Sequence, residues 1–317
     1  MEDCMKPTKT VPILLTIFLI ALLAAGCVNK GTSQTVNRAL ARSTGSDYRA
    51  PKLSDIVNSE TIKCKYYNDL DFKKSISHLP ERQVGSLKIK GGIVPHHLLA
   101  GRMIADFFNV LSSQNPEIIV VIAPNHKGLG KKEVSIADWN WETPFGILQA
   151  EKTLIDSLVN SQLAAVDNRL MEAEHSISGL VPYIRYYLPN TKILPILVRG
   201  HYGLQESAEL GQRIQNLVKN KNSVIVSSID FSHYLNVSQA DIKDRSALRA
   251  IETRDLQAIS LMDNDNLDSP SAAIALLTSM NQAGAANRII LGHDNSARIA
   301  RTNPNNTTSY YSIVFYK

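Results

Sequence analysis

Along most of the chain, short apolar runs alternate with stretches in which apolar residues recur at helical spacing. The runs predict strands over residues 87–94, 118–123, 134–136, 193–198, 223–228, 288–291 and 310–315. The helical spacing predicts helices over 100–111, 151–160, 204–220, 239–253, 255–262 and 271–282. Strands that alternate with helices of this length build βαβ units, so the expected class is α/β: three α/β/α layers around a mostly parallel central sheet. The segment Ile118-Ile119-Val120-Val121-Ile122 has no polar face at all. That is expected of a central strand covered on both sides.

This pattern holds from about residue 85 to residue 317. Residues 53–84 are weakly patterned, with a helix and a strand expected to pack on the domain edge. Upstream, residues 11–25 form an apolar run preceded by Lys6 and Lys9 and followed by Gly26-Cys27. The run is shorter than the about 20 residues a membrane span needs. A basic segment, a short apolar segment and small residues before a cut describe a secretory signal, and Leu23-Ala24-Ala25-Gly26-Cys27 resembles a bacterial lipobox. The expectation is a signal peptide over 1–26, a lipidated Cys27 and a tether over 27–52 that anchors the protein outside the cytoplasmic membrane. Cys64 would then have no disulfide partner in the mature chain.

Composition changes the picture only through its distribution. The 317-residue chain carries a formal net charge of +5, which by itself suggests nucleic-acid binding. However, Lys30, Arg38, Arg42, Arg49 and Lys52 stand against Asp47 alone in the tether, so most of the surplus lies beside the expected anchor. Basic residues near an anionic bilayer are attracted by about 1 kcal/mol each. The domain is nearly neutral, and the expected partner of the basic segment is a membrane surface, with no nucleic acid. The chain has no GxGxxG turn or GxxxxGK[ST] loop, so no dinucleotide or nucleotide triphosphate site is indicated.

Candidate chemistry collects where strands end. His96 follows the first long strand, His126 the second, Asp230 and His233 the fifth and His293 the sixth. In open α/β sheets ligands bind outside the carboxyl ends of the strands, so these residues are expected to converge. Glu174 beside His175 can fix an imidazole tautomer or serve a general base. His97, directly after His96, is expected to point elsewhere, and His78 and His201 are assigned no role. His293, with Asp294 and Asn295, is placed at the rim of the cleft.

Four strings carry a resemblance: Val94-Pro95-His96-His97, Ala123-Pro124-Asn125-His126-Lys127-Gly128, Glu174-His175-Ser176-Ile177 with Pro182-Tyr183 following, and Ser227-Ser228-Ile229-Asp230-Phe231-Ser232-His233. Their order and spacing resemble the Memo family, also called AmmeMemoRadiSam system protein B, which shares its fold with LigB-type class III extradiol dioxygenases. The resemblance implies a metal cleft lined by two histidines and a cysteine, here His96, His126 and, at the cysteine position, Asp268. It also implies AMMECR-type and radical-SAM proteins as partners. Asp268 has a second reading as the cap of the helix near Pro270. As a ligand it would complete the two-histidine, one-carboxylate set typical of non-haem Fe(II). Copper and zinc stay open, the latter for hydrolysis. His175, His233, Asp230 and Glu174 are the expected proton-handling residues.

Overall fold

The computed structural model describes residues 60–200 and 202–317. The expected signal segment, Cys27, the expected tether and His201 lie outside the described residues.

In chain order the strands are β1 (Thr61–Lys63), β2 (Ile89–Val94), β3 (Ile118–Pro124), β4 (Val134–Ile136), β5 (Asn140–Thr143), β6 (Gly146–Leu148), β7 (Ala165–Val166), β8 (Lys192–Val198), β9 (Ser223–Ser228), β10 (His233–Leu235), β11 (Asn287–Asn295) and β12 (Thr307–Tyr316). Nine of them form one sheet in the order β10-β12-β2-β9-β3-β8-β4-β7, with β11 on β12. The expected parallel core is β2-β9-β3-β8. Strands β12 and β4 close it on either side in antiparallel fashion. A separate three-stranded sheet joins β1, β5 and β6.

Side-chain alternation explains why the central strands are apolar throughout. Ile118, Val120 and Ile122 of β3 enter one hydrophobic cluster, while Ile119, Val121 and Ala123 enter the other. With both faces buried, a strand has no position left for a polar residue. One cluster is covered by α3 (Lys152–Asn160), α7 (Leu204–Val218), α8 (Val237–Thr253) and α10 (Pro270–Ala283). The other is covered by α1 (Asp69–Ile76), α2 (Gly101–Ser112) and α6 (Val181–Tyr187). The result is the expected three layers. The short α4 (Asn168–Ala173), α5 (His175–Ser178), α9 (Leu256–Ser260) and α11 (Ser296–Ala300) lie in the connections.

The weakly patterned N-terminal stretch contributes to this core. Ile62, Phe72 and Val84 are all buried in the α1/α2/α6 cluster. Phe72 packs among the rings of Tyr67, Phe145, Tyr183 and Tyr186. Cys64 is a free thiol, and burial pushes its pKa up to about 11. Among the described residues, no helix is long and apolar enough to cross a membrane.

Candidate metal centre

Parallel strands put their carboxyl ends on one edge, and three of the four core strands deliver a polar residue there. His96 follows β2, His126 follows β3 and Asp230 follows β9. The turn after β3 is shaped by its own sequence. Asn125 donates its side-chain amide to the Leu129 carbonyl at 2.7 Å, and Gly128 takes φ +61°, a conformation that glycine adopts without steric cost. Asp268 arrives from the segment before α10, and Glu174 with His175 from the junction of α4 and α5.

His96 is fully enclosed. Its backbone N–H donates to Asp230 Oδ1 at 3.0 Å, and its Nδ1 lies 3.1 Å from Ser228 Oγ. The single hydroxyl proton of Ser228 goes to the Ser176 carbonyl at 2.5 Å, so toward the ring the hydroxyl can only accept. His96 therefore carries its proton on Nδ1, which leaves the Nε2 lone pair directed at Asp268 Oδ2, 3.2 Å away. Asp230 Oδ2 is 3.6 Å from the same nitrogen.

The tautomer of His126 is fixed in the same way by a carboxylate. Glu174, with no exposed surface, accepts from His126 Nδ1 at 2.9 Å and from the His126 backbone N–H at 3.0 Å. It also accepts from the backbone N–H of His175 and of Ser176, at 2.8 and 3.2 Å, and lies 3.0 Å from His175 Nδ1. One buried carboxylate thus aligns two imidazoles, and their rings stack at 4.5 Å with 19° between planes. His126 Nε2 faces Asp268 Oδ2 at 3.6 Å, too far for a good hydrogen bond.

Electrostatics follow from this crowding. Burial works against the charged form of His126, but the carboxylates of Asp268 and Glu174 outweigh it and hold its pKa up at about 10. Burial would also raise Glu174, yet its bonds from His126 and His175 keep it well below the usual carboxylate range. Two imidazole lone pairs and a carboxylate oxygen facing one another need a cation between them. When no metal is bound, a proton on His126 can serve. Ligand atoms around one metal at about 2.0–2.2 Å stand roughly 3–3.5 Å apart, close to the 3.2 and 3.6 Å that separate Asp268 Oδ2 from His96 Nε2 and His126 Nε2. The ligand atoms of His96, His126 and His175 lie within 4.8 Å of one another, as do those of His96, Asp230 and Asp268. Either group could hold a metal ion. Asp268 Oδ1 is buried without a hydrogen-bond partner, a donor left available to such an ion.

The helix-cap reading of Asp268 is corrected by its neighbour. Ser269 caps α10, its side chain accepting from the Ala272 N–H at 3.3 Å, with Pro270 in the first turn. The Asp268 carboxylate instead faces the histidines. The ring of His175, expected to face the metal as a proton shuttle, lies 5.3 Å from that of His96.

Other histidines stand apart. His97 turns to the Tyr310 hydroxyl, consistent with its expected divergence from His96. His233 sits in β10, its N–H donating to the Asn264 carbonyl at 2.9 Å, and belongs to neither group around His96. Its Nδ1 is buried without a partner. His293 stacks on Tyr311 at 4.0 Å and bonds Asp244 at 2.8 Å, in a different cluster with Asp241. His78 presents only its carbonyl, to Arg102. Sequence reasoning missed Ser228 and Ser176, the residues that fix the His96 tautomer. Their signal was a hydroxyl at the buried end of an apolar strand, and another directly after a Glu-His pair.

The crystal structure of uncharacterized protein JW3007 from Escherichia coli K12 superposes with a TM-score of 0.48 at 12% identity, covering 72% of this chain and 100% of that one. Among curated proteins, a MEMO1 family protein of Methanopyrus kandleri is 28% identical over 249 residues, 75% of this chain and 87% of its own. One from Aquifex aeolicus is 27% identical over 236 residues, 73% of this chain and 85% of its own. Another, from Nitrosopumilus maritimus, is 29% identical over 173 residues, 53% of this chain and 62% of its own. The family model described as "Memo-like protein" matches residues 67–314, which spans every strand and helix that forms the histidine cluster: the chain belongs to the Memo family.

Proposed function

We propose that His96, His126 and Asp268 hold a divalent metal and that the protein is a metal-dependent redox enzyme, dioxygenase-like, acting on a small molecule. The observation that carries this is the convergence of His96 Nε2, His126 Nε2 and the Asp268 carboxylate, with each ring's Nδ1 already committed to Ser228 or Glu174. Two imidazoles and a carboxylate are the donor set of non-haem Fe(II), harder than a thiolate-containing set that would favour copper. Bound there, Fe(II) supplies redox capacity and open positions for dioxygen and substrate.

The chain's own residues do the rest. Glu174 locks His126 and His175 in one tautomer and so orients the remaining nitrogen of each ring. His175 is the more open of the two, with 43% of its side chain exposed. It is therefore placed to move a proton between solvent and a bound substrate. Asp230 accepts from the backbone N–H of His96 and holds that residue in place beside Asp268. The lipidated Cys27 and the basic tether would keep this domain at the outer face of a membrane.

Metal analysis of full-length protein purified without oxygen tests the reading. About one iron per chain in the wild type, and loss of it in the His96→Ala/His126→Ala variant, is the expected result. Absence of any first-row metal, or unchanged content in the variant, removes it. That outcome would leave a scaffold role, with AMMECR-type and radical-SAM proteins as the partners to look for.

A further inference from the structure

The edge of the sheet opposite the histidines has its own chemistry. Lys90 near the start of β2, Lys219 and Lys221 after α7, and Lys317 after β12 line a cavity of about 160 Å³ with Gln215 and Ser223. No Asp or Glu side chain lines it. Among the described residues, the lysines that pair with acids are Lys65, Lys73, Lys74, Lys192 and Lys243, and none of these belongs to the cavity. Lys88 adds a further cation beside Lys90, and burial together with repulsion from Lys317 and Lys88 lowers the Lys90 pKa.

Part of this charge has a structural explanation. Helices α7 and α10 both end here, and helix carboxyl ends favour cations. Lys219 caps α7, and the Lys317 ammonium lies 4.0 Å from where a Cβ on Gly284, the α10 cap, would sit. A helix end carries only about half an elementary charge, so two ends do not balance four lysines around one hollow. Nor do they explain Gln215. Gln215 is 9% exposed and lines the same cavity. The Gln215 side chain and four lysines border a space large enough to admit a phosphate group.

We propose that this hollow binds a phosphate-bearing ligand, the dianion being met by Lys90, Lys219, Lys221 and Lys317 and by the Gln215 amide. The phosphate could come from solution or from a phosphomonoester lipid headgroup, and the binding chemistry is the same. The site is independent of the histidine cluster, so its test is too.

Full-length protein in detergent, stripped of metal with a chelator, is titrated with inorganic phosphate by calorimetry. Saturable binding is expected, weakened about 10- to 30-fold in Lys90→Gln/Lys221→Gln. It should be unchanged in Lys152→Gln and in His96→Ala/His126→Ala. No saturable binding, or equal affinity in the double lysine variant, overturns the proposal. Loss in the histidine variant alone would place the phosphate at the metal cleft and also overturn it. Dihexanoyl phosphatidic acid binding more tightly than phosphate identifies a lipid source, and equal or weaker binding identifies a soluble one. Dihexanoyl phosphatidylcholine binding as tightly as the phosphatidic acid would indicate capture of the acyl chains and sink the idea.

Discussion

Asp268 and Ser269 are adjacent and divide two jobs that the sequence alone left on one residue. Either side chain could have capped a helix that begins with Pro270, because Asp and Ser rank together at that position. Backbone direction decides: the Ser269 oxygen meets the Ala272 N–H, which turns Asp268 back toward His96. The two roles separate experimentally. Ser269→Ala is expected to cost about 1 kcal/mol of stability, seen as a lower denaturant midpoint, with metal content unchanged. Asp268→Asn keeps the volume but removes the charge, and is expected to weaken metal binding by at least about 10- to 100-fold with little change in the midpoint. The opposite pattern would mean that Asp268 is structural. Most of the participating residues were legible in four short strings, because a polar residue directly after an apolar strand has to serve a loop or a site. Their partnerships were not: His96 and Ser228 meet across 132 positions of sequence, and His126 and Glu174 across 48.

At the level of elements, the sequence was most informative where both faces of a strand or a whole helix face are buried. Strand β3 was expected over 118–123 and forms over Ile118–Pro124; β9 matches its expected limits. Helix α10 has both punctuation marks, Pro270 at its start and Gly284 in the left-handed cap at φ 70°. Strands β5, β6 and β10 were not anticipated, since three or four residues of mixed polarity carry no period and are held by their partners. Strand β11 runs to Asn295, well beyond its apolar part, because pairing along β12 continues through the polar residues. Close helix packing also escaped the sequence. Gly211 of α7 lies against the backbone of Ala275 in α10, so a Cβ there would collide with it. Gly211→Ala is expected to lose about 1–3 kcal/mol despite its higher helix propensity. A chemical-denaturation midpoint equal to or above that of the wild type would contradict this packing.

Taken whole, the molecule has two chemically distinct edges on one sheet. The carboxyl edge gathers imidazoles and carboxylates, and the amino edge carries a hollow lined by four lysines and by no Asp or Glu. Net charge hid this division, as the basic surplus sits mostly in residues 28–52. The proposed anchor belongs to this scale as well. A fatty-acid probe fed to producing cells should label the wild-type protein and leave Cys27→Ala unlabelled, whereas label that persists in the variant would place the acyl chain elsewhere or remove the anchor. The metal centre is the central claim, and anomalous scattering from crystals grown without oxygen and loaded with Fe(II) tests it most directly. The account predicts an iron peak among His96 Nε2, His126 Nε2 and the Asp268 carboxylate. No iron peak there, or one found instead between Asp241, Asp244 and His293, would contradict it.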